Sequence, residues 1–118
     1  MAHLSRIAPE LPAVNLPAAI DFYRKLGFAL VSQTPSRDYA IVERDGIALH
    51  LFEDPTHSST LVGVHLFTHE LADLFDEFSG RSIPFTQNIE RKPWGNRDFR
   101  VKDDYGNELK FTEPLTDE

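Results

Sequence analysis

The residues of this chain that could do chemistry fall on one strand parity. His50 and Phe52, Gly63 and His65, Arg100 and Lys102, and Lys110 and Thr112 occupy alternate positions in segments that read as strands. Their side chains should therefore share a face. Leu49 and Leu51, Val62, Val64 and Leu66, Phe99 and Val101, and Leu109 and Phe111 take the other parity and should meet helices. Glu10, His50, His65 and Glu108 on the polar face supply two imidazoles and two carboxylates, the donor types that hold a divalent cation. Arg100, Lys102 and Lys110 beside the histidines make a basic lining, which suits a carboxylate-bearing ligand. Asp38, Asp98 and Glu108 could neutralise it. Arg37-Asp38 and Arg97-Asp98 could equally be ion pairs at strand starts, so the sign of the charge stays open. Alternation alone also leaves open whether this face lines a cavity or meets water.

Trp94 is the only tryptophan, set between Pro93 and Gly95. A tryptophan between two backbone punctuators is poorly placed for a core and well placed to stack on an aromatic or cationic ligand group. Other chemistries lack their residues. There is no cysteine, hence no thiol nucleophile and no disulfide framework, and a reducing cytoplasm suits the chain. No glycine-rich phosphate loop is present, and His69-Glu70 lacks the second histidine of a zinc-protease helix. His3, His57 and His69 read as terminal, linker and helix-start residues at the surface. The formal net charge is −7, from 12 basic and 19 acidic residues, without a basic run, which disfavours nucleic acid. No stretch is apolar enough for a signal peptide or a membrane span.

The elements that position these residues repeat. Arg37-Asp38-Tyr39-Ala40-Ile41, then Gly46, Leu49, Leu51 and Glu53, returns as Arg97-Asp98-Phe99-Arg100-Val101, then Gly106, Leu109, Phe111 and Glu113, offset throughout by 60 residues. A fixed period implies a duplicated supersecondary unit, and at 118 residues the two copies fit one domain. The first unit, residues 1–54, reads as a strand at 7–11 broken by Pro9 and Pro12. A helix follows, capped by Asn15, striped by Leu16, Ile20, Tyr23 and Leu26 and stopped at Gly27. Strands at 28–32, 38–44 and 47–53 complete the unit, the last two joined by the hairpin signal Asp45-Gly46. The second unit, residues 60–114, reads as a strand at 60–67, then a helix capped by Thr68 with Leu71, Leu74, Phe75 and Phe78 on its apolar face. Strands at 83–89, 98–103 and 108–113 follow, the last two separated by Asp104-Tyr105-Gly106-Asn107. The expected fold is α+β: two tandem βαβββ units forming a curved, mostly antiparallel sheet around a cavity. Such a sheet leaves edges to cover, which favours a homodimer.

A paired βαβββ unit with Ala19-Ile20-Asp21-Phe22-Tyr23-Arg24-Lys25-Leu26-Gly27-Phe28 in its first helix and Asp103-Asp104-Tyr105-Gly106-Asn107-Glu108-Leu109-Lys110-Phe111 near its end resembles the vicinal-oxygen-chelate superfamily. That group holds glyoxalase I, extradiol dioxygenases, fosfomycin-resistance enzymes and bleomycin-binding resistance proteins. Pro93-Trp94-Gly95 followed by Asp98-Phe99, with Pro9 in the first strand and Thr60-Leu61 opening the fifth, is most similar to the bleomycin-resistance branch. The resemblance spans residues 7–114. It implies dimers whose grooves sandwich a planar antibiotic tail between aromatic side chains. It also carries the superfamily's four metal-ligand positions onto Ala8, His50, Gly63 and Lys110, of which only His50 is a ligand type. The resemblance thus implies a metal-independent protein that sequesters an antibiotic, with no cofactor. Trp94 and Tyr39 would stack the ligand, Phe52 would form apolar wall, and His50, His65, Arg100 and Lys110 would set polar specificity. Two further aromatic places of the family fall near Ser32 and on Gly63. The alternative is a divalent-metal-dependent enzyme of the same superfamily using the shifted set Glu10, His50, His65 and Glu108.

Overall fold

The computed structural model describes residues 2–58 and 61–115, which divide into two compact units with the boundary between His57 and Ser58. The first unit contains β1 (Glu10–Ala13), α1 (Leu16–Lys25), β2 (Ala29–Gln33), β3 (Tyr39–Arg44) and β4 (Ile47–Glu53). Its sheet has the order β1-β4-β3-β2, with β1 parallel to β4 and the other pairs antiparallel. The second unit contains β5 (Val62–Phe67), α2 (Leu71–Gly80), β6 (Gln87–Arg91), β7 (Asn96–Lys102) and β8 (Asn107–Pro114). Its order is β5-β8-β7-β6, with the same mixture of one parallel and two antiparallel pairs. The duplicated strand-helix-strand-strand-strand order is therefore as expected. No helix among the described residues is long and apolar enough to cross a membrane.

In the first unit α1 lies against β2, β3 and β4. The four stripe residues Leu16, Ile20, Tyr23 and Leu26 are all buried, together with Ala40, Val42, Leu49 and Leu51 beneath them. Asn15 caps the helix by accepting the Ala18 N–H at 3.0 Å, and Glu53 Oε2 accepts the Leu16 N–H at 3.1 Å. Both satisfy donors that the first helical turn leaves orphaned. β1 begins three residues later than the expected start, at Glu10, and lies at the sheet edge. Pro12 is tolerated there because an edge strand has one row of backbone groups without a ladder partner.

The second unit departs from expectation at two elements. Its helix N-cap is Glu70 rather than Thr68, and Glu70 makes no side-chain cap bond. Thr68 Oγ1 instead accepts the Glu70 N–H at 3.0 Å. The strand expected at 83–89 forms only from Gln87 to Arg91. Ile83 is buried at the end of α2, its N–H bonded to the Phe78 carbonyl, and Phe85 stacks on Phe75 with centroids 4.5 Å apart. Both apolar side chains close the core under α2, so the ladder starts beyond them. The expected strand start at Thr60 lies outside the described residues.

The 60-residue repeat hides a one-residue slip. Tyr39 and Phe99 align in sequence, yet Tyr39 pairs with Phe52 while Phe99 pairs with Phe111, the repeat mate of Leu51. The hairpins explain it. Arg44 and Ile47 close a two-residue turn over Asp45 (φ 54°) and Gly46 (φ 79°), the positive-φ pair of a type I′ turn. Asp103 and Asn107 close a three-residue turn, the Asp103 N–H donating to the Asn107 carbonyl at 3.0 Å. Shifting a strand by one residue exchanges its faces. Phe99 is accordingly buried against Phe75 and Phe78 of α2, while Tyr39 stands half-buried on the face away from α1.

Candidate functional site

On the first unit, the face away from α1 carries Glu10 of β1, Tyr39 of β3, and His50 and Phe52 of β4, in the register rows Glu10–His50–Ile41 and Pro12–Phe52–Tyr39. The Tyr39 hydroxyl lies 2.7 Å from Glu10 Oε2 and 2.8 Å from His50 Nδ1. A carboxylate only accepts, so the single phenolic proton goes to Glu10 and His50 must donate from Nδ1 to the phenol oxygen. His50 Nε2 has no hydrogen-bond partner among the described residues. The hydrogen bond to Glu10, then partial burial and the carboxylate's charge, hold the Tyr39 hydroxyl above its usual pKa. Phe52 is half-buried beside Tyr39 as an apolar surface.

On the second unit, the face away from α2 carries Gln87, Arg100, Lys110 and His65 in one register row across β6, β7, β8 and β5. Buried Asp98 accepts from Gln87 Nε2 at 2.6 Å and lies 3.5 Å from Arg100. Glu108 accepts from Thr86 at 3.3 Å and lies 3.8 Å from Arg100 Nη1. Neither Arg-Asp dipeptide is an ion pair in its own right. Arg97 binds Glu113 at 2.6 Å, and Asp38 accepts from Thr34 at 2.9 Å and Ser36 at 2.6 Å. Those hydroxyls, Ser36 first, hold the Asp38 carboxyl below its usual pKa. His65 Nδ1 lies 2.9 Å from Thr112 Oγ1, whose own proton goes to the Lys110 carbonyl. His65, like His50, must therefore donate from Nδ1.

In their neutral forms both histidines should thus appear as the Nδ1–H tautomer in imidazole nitrogen NMR. Tyr39→Phe should release His50 to a tautomer mixture and leave His65 unchanged. An Nε2–H signature for His50 in the unaltered chain would break the Glu10–Tyr39–His50 donor chain.

Trp94 stands at the tip of the β6–β7 turn, closed by the Lys92 N–H to Asn96 carbonyl bond at 2.7 Å, and is 64% exposed. It plugs no core. Sequence reasoning placed His50, Phe52, His65, Arg100 and Lys110 on a polar face, but it gave Tyr39 no face and missed two linkages, the Tyr39 hydroxyl joining Glu10 to His50 and the engagement of Asp98 by Gln87. The only available signal was strand parity. It groups residues by face without giving the cross-strand register.

The four metal-ligand positions that the resemblance supplies do not fit a divalent ion. Ala8 and Gly63 offer no donor, which leaves His50 as the one ligand type among the four. Lys110 brings an ammonium over Gly63, where an added Cβ would meet Nζ and Cε at 3.2 Å. In the shifted set Glu10 and His50 bond Tyr39, His65 bonds Thr112 and Glu108 bonds Thr86. Among the described residues no three His, Asp or Glu side chains group as an ion would need.

Two mixed four-stranded sheets, each with one helix on one face and a polar opposite face, define a duplicated βαβββ protein. The sequence profile of the Glyoxalase/Bleomycin resistance protein/Dioxygenase superfamily matches residues 2–111, and the chain belongs to that superfamily. The fold is similar to that of a bleomycin-binding protein solved with bleomycin (TM-score 0.83, 21% identity, 93% of this chain and 98% of that one). It is also similar to the bleomycin resistance determinant encoded on transposon Tn5 (0.86, 20% identity, 96% and 100%). TioX from a Micromonospora strain shares the fold as well (0.77, 24% identity, 94% and 99%). A comparison with curated proteins gives no match.

Proposed function

We propose that this chain is a metal-independent binding protein of the bleomycin-resistance type. Working as a homodimer, it sequesters a planar, largely aromatic small molecule without making or breaking a bond. The observation that carries the reading is the loss of donors at the inherited metal positions, above all Lys110 lying over Gly63. A cation held there repels a second cation, so the face has the wrong sign for an ion and the right one for a guest with polar groups. Trp94 at its exposed turn supplies a stacking surface on the second unit, and Tyr39 and Phe52 supply aromatic surface on the first. His50, His65, Arg100 and Lys110 provide polar selection. The fold shared with two bleomycin-related proteins at about one-fifth identity supports the architecture and leaves the ligand to experiment.

The test is a fluorescence titration with bleomycin, in which the lone Trp94 is the reporter. Saturable quenching is expected, and Trp94→Ala should weaken binding measured by calorimetry by ~1–3 kcal/mol without unfolding the chain. Unchanged affinity in that variant would remove the stacking role. Elemental analysis of the purified protein checks the remainder. One tightly held zinc, nickel, manganese or iron per chain would replace this reading with a metal-dependent enzyme.

A further inference from the structure

The second unit keeps an electrostatic cost that its own residues relieve only in part. Arg100 of β7 and Lys110 of β8 are direct antiparallel partners. Two cations therefore stand side by side on one face, an arrangement that destabilises a sheet. Arg100 is compensated in part by Asp98 at 3.5 Å and Glu108 at 3.8 Å, although its Nε is buried without a hydrogen-bond partner. The Lys110 side chain forms no hydrogen bond or ion pair among the described residues, in a chain with 19 acidic side chains to choose from. Its position is nevertheless specific. The side chain is half-buried and extends over Gly63, and any Cβ at that position would crowd Cε and Nζ at 3.2 Å. Gly63 thus clears the space that keeps the ammonium on this face. An anion supplied from outside would receive charge-assisted hydrogen bonds from both side chains and remove the repulsion between them.

We propose that Lys110 and Arg100 form a site for an oxyanion, a carboxylate or phosphate monoester carried by the ligand. His65, the row neighbour of Lys110, is not one of its donors. Its Nδ1–H is spent on Thr112. The inference rests on the sequestration reading only in taking the anion to be part of that same small molecule.

The probes are naphthoate and naphthamide, an aromatic pair differing in one charge, titrated into the full chain by calorimetry and by amide correlation NMR. Naphthoate should bind saturably, at least about tenfold tighter than the amide, the advantage of hydrogen bonds to a charged acceptor. Its binding should shift the Gly63 amide signal. Lys110→Met should bring the ratio of affinities near one and raise the melting temperature, because the like-charge pair is gone. Lys110→Gln provides the same test with a polar side chain, and Lys25→Met, on an exposed lysine of α1 in the first unit, should leave the ratio unchanged. Equal affinities for the two probes, a preference that survives both Lys110 variants, or its equal loss in Lys25→Met would overturn the site. If neither probe binds, the oxyanion site falls, while bleomycin quenching of Trp94 would still uphold sequestration. Lys110-dependent naphthoate binding without bleomycin binding would leave the site standing and refute the bleomycin-type reading.

Discussion

Phe99→Ala should be the most damaging single substitution in the chain, lowering unfolding free energy by ~3–5 kcal/mol in chemical denaturation. Phe99 is fully buried, with ring centroids 5.3 Å from Phe75, 5.8 Å from Phe78, 5.3 Å from Phe85 and 5.2 Å from Phe111. Truncation would remove one ring from four aromatic contacts contributed by α2, the segment before β6, and β8. A void enclosed by rigid rings cannot easily collapse, which puts the cost at the upper end of the range for core truncations. The consequence would reach the proposed oxyanion site, because Arg100 and Lys110 alternate on β7 and β8 with Phe99 and Phe111. A measured loss below about 1 kcal/mol would mean that the cluster repacks, and that the polar face is less firmly backed than these contacts imply.

Asp103→Ala should cost ~3 kcal/mol or more, measured as a fall in the denaturation midpoint, because hydrogen bonds to a charged acceptor contribute about 1.5–3 kcal/mol each. Asp103 is 5% exposed. Its Oδ1 accepts the Tyr105 N–H at 2.8 Å and the Asn107 N–H at 3.0 Å, and its Oδ2 accepts the Asn107 side-chain amide at 2.8 Å. Truncation would strand those donors where water reaches them poorly. Asp103→Asn should cost less, since its amide oxygen still accepts one set of bonds. The pair of variants separates charge from shape, and equal losses in both would assign the whole effect to the carboxylate charge. The motif that carried the family resemblance is thus a turn-building device. It sets the register that places Arg100 opposite Lys110, the pair of the proposed oxyanion site.

Much of the fold was legible because its determinants are local. The α1 stripe, the Asn15 cap and the Asp45-Gly46 turn each depend on residues a few positions apart, and all appear in the structure. The β6 boundary was not legible. Ile83 and Phe85 have strand-like types but are drawn into the core under α2, and only tertiary packing decides that competition.

The candidate site divides in the same way. Strand parity alone put His50, His65, Arg100 and Lys110 on polar faces, since the period of a strand is two wherever it lies. It could not say that Tyr39 and Phe99, twins in the repeat, point to opposite faces. That follows from one extra residue in the second hairpin turn, whose effect appears only when the ladders are paired. Nor could it place the Tyr39 hydroxyl between Glu10 and His50, or Lys110 over Gly63, because these contacts join strands 29 and 47 residues apart in the chain. Residue types and periodicity determined which face each side chain takes; cross-strand register decided which side chains touch.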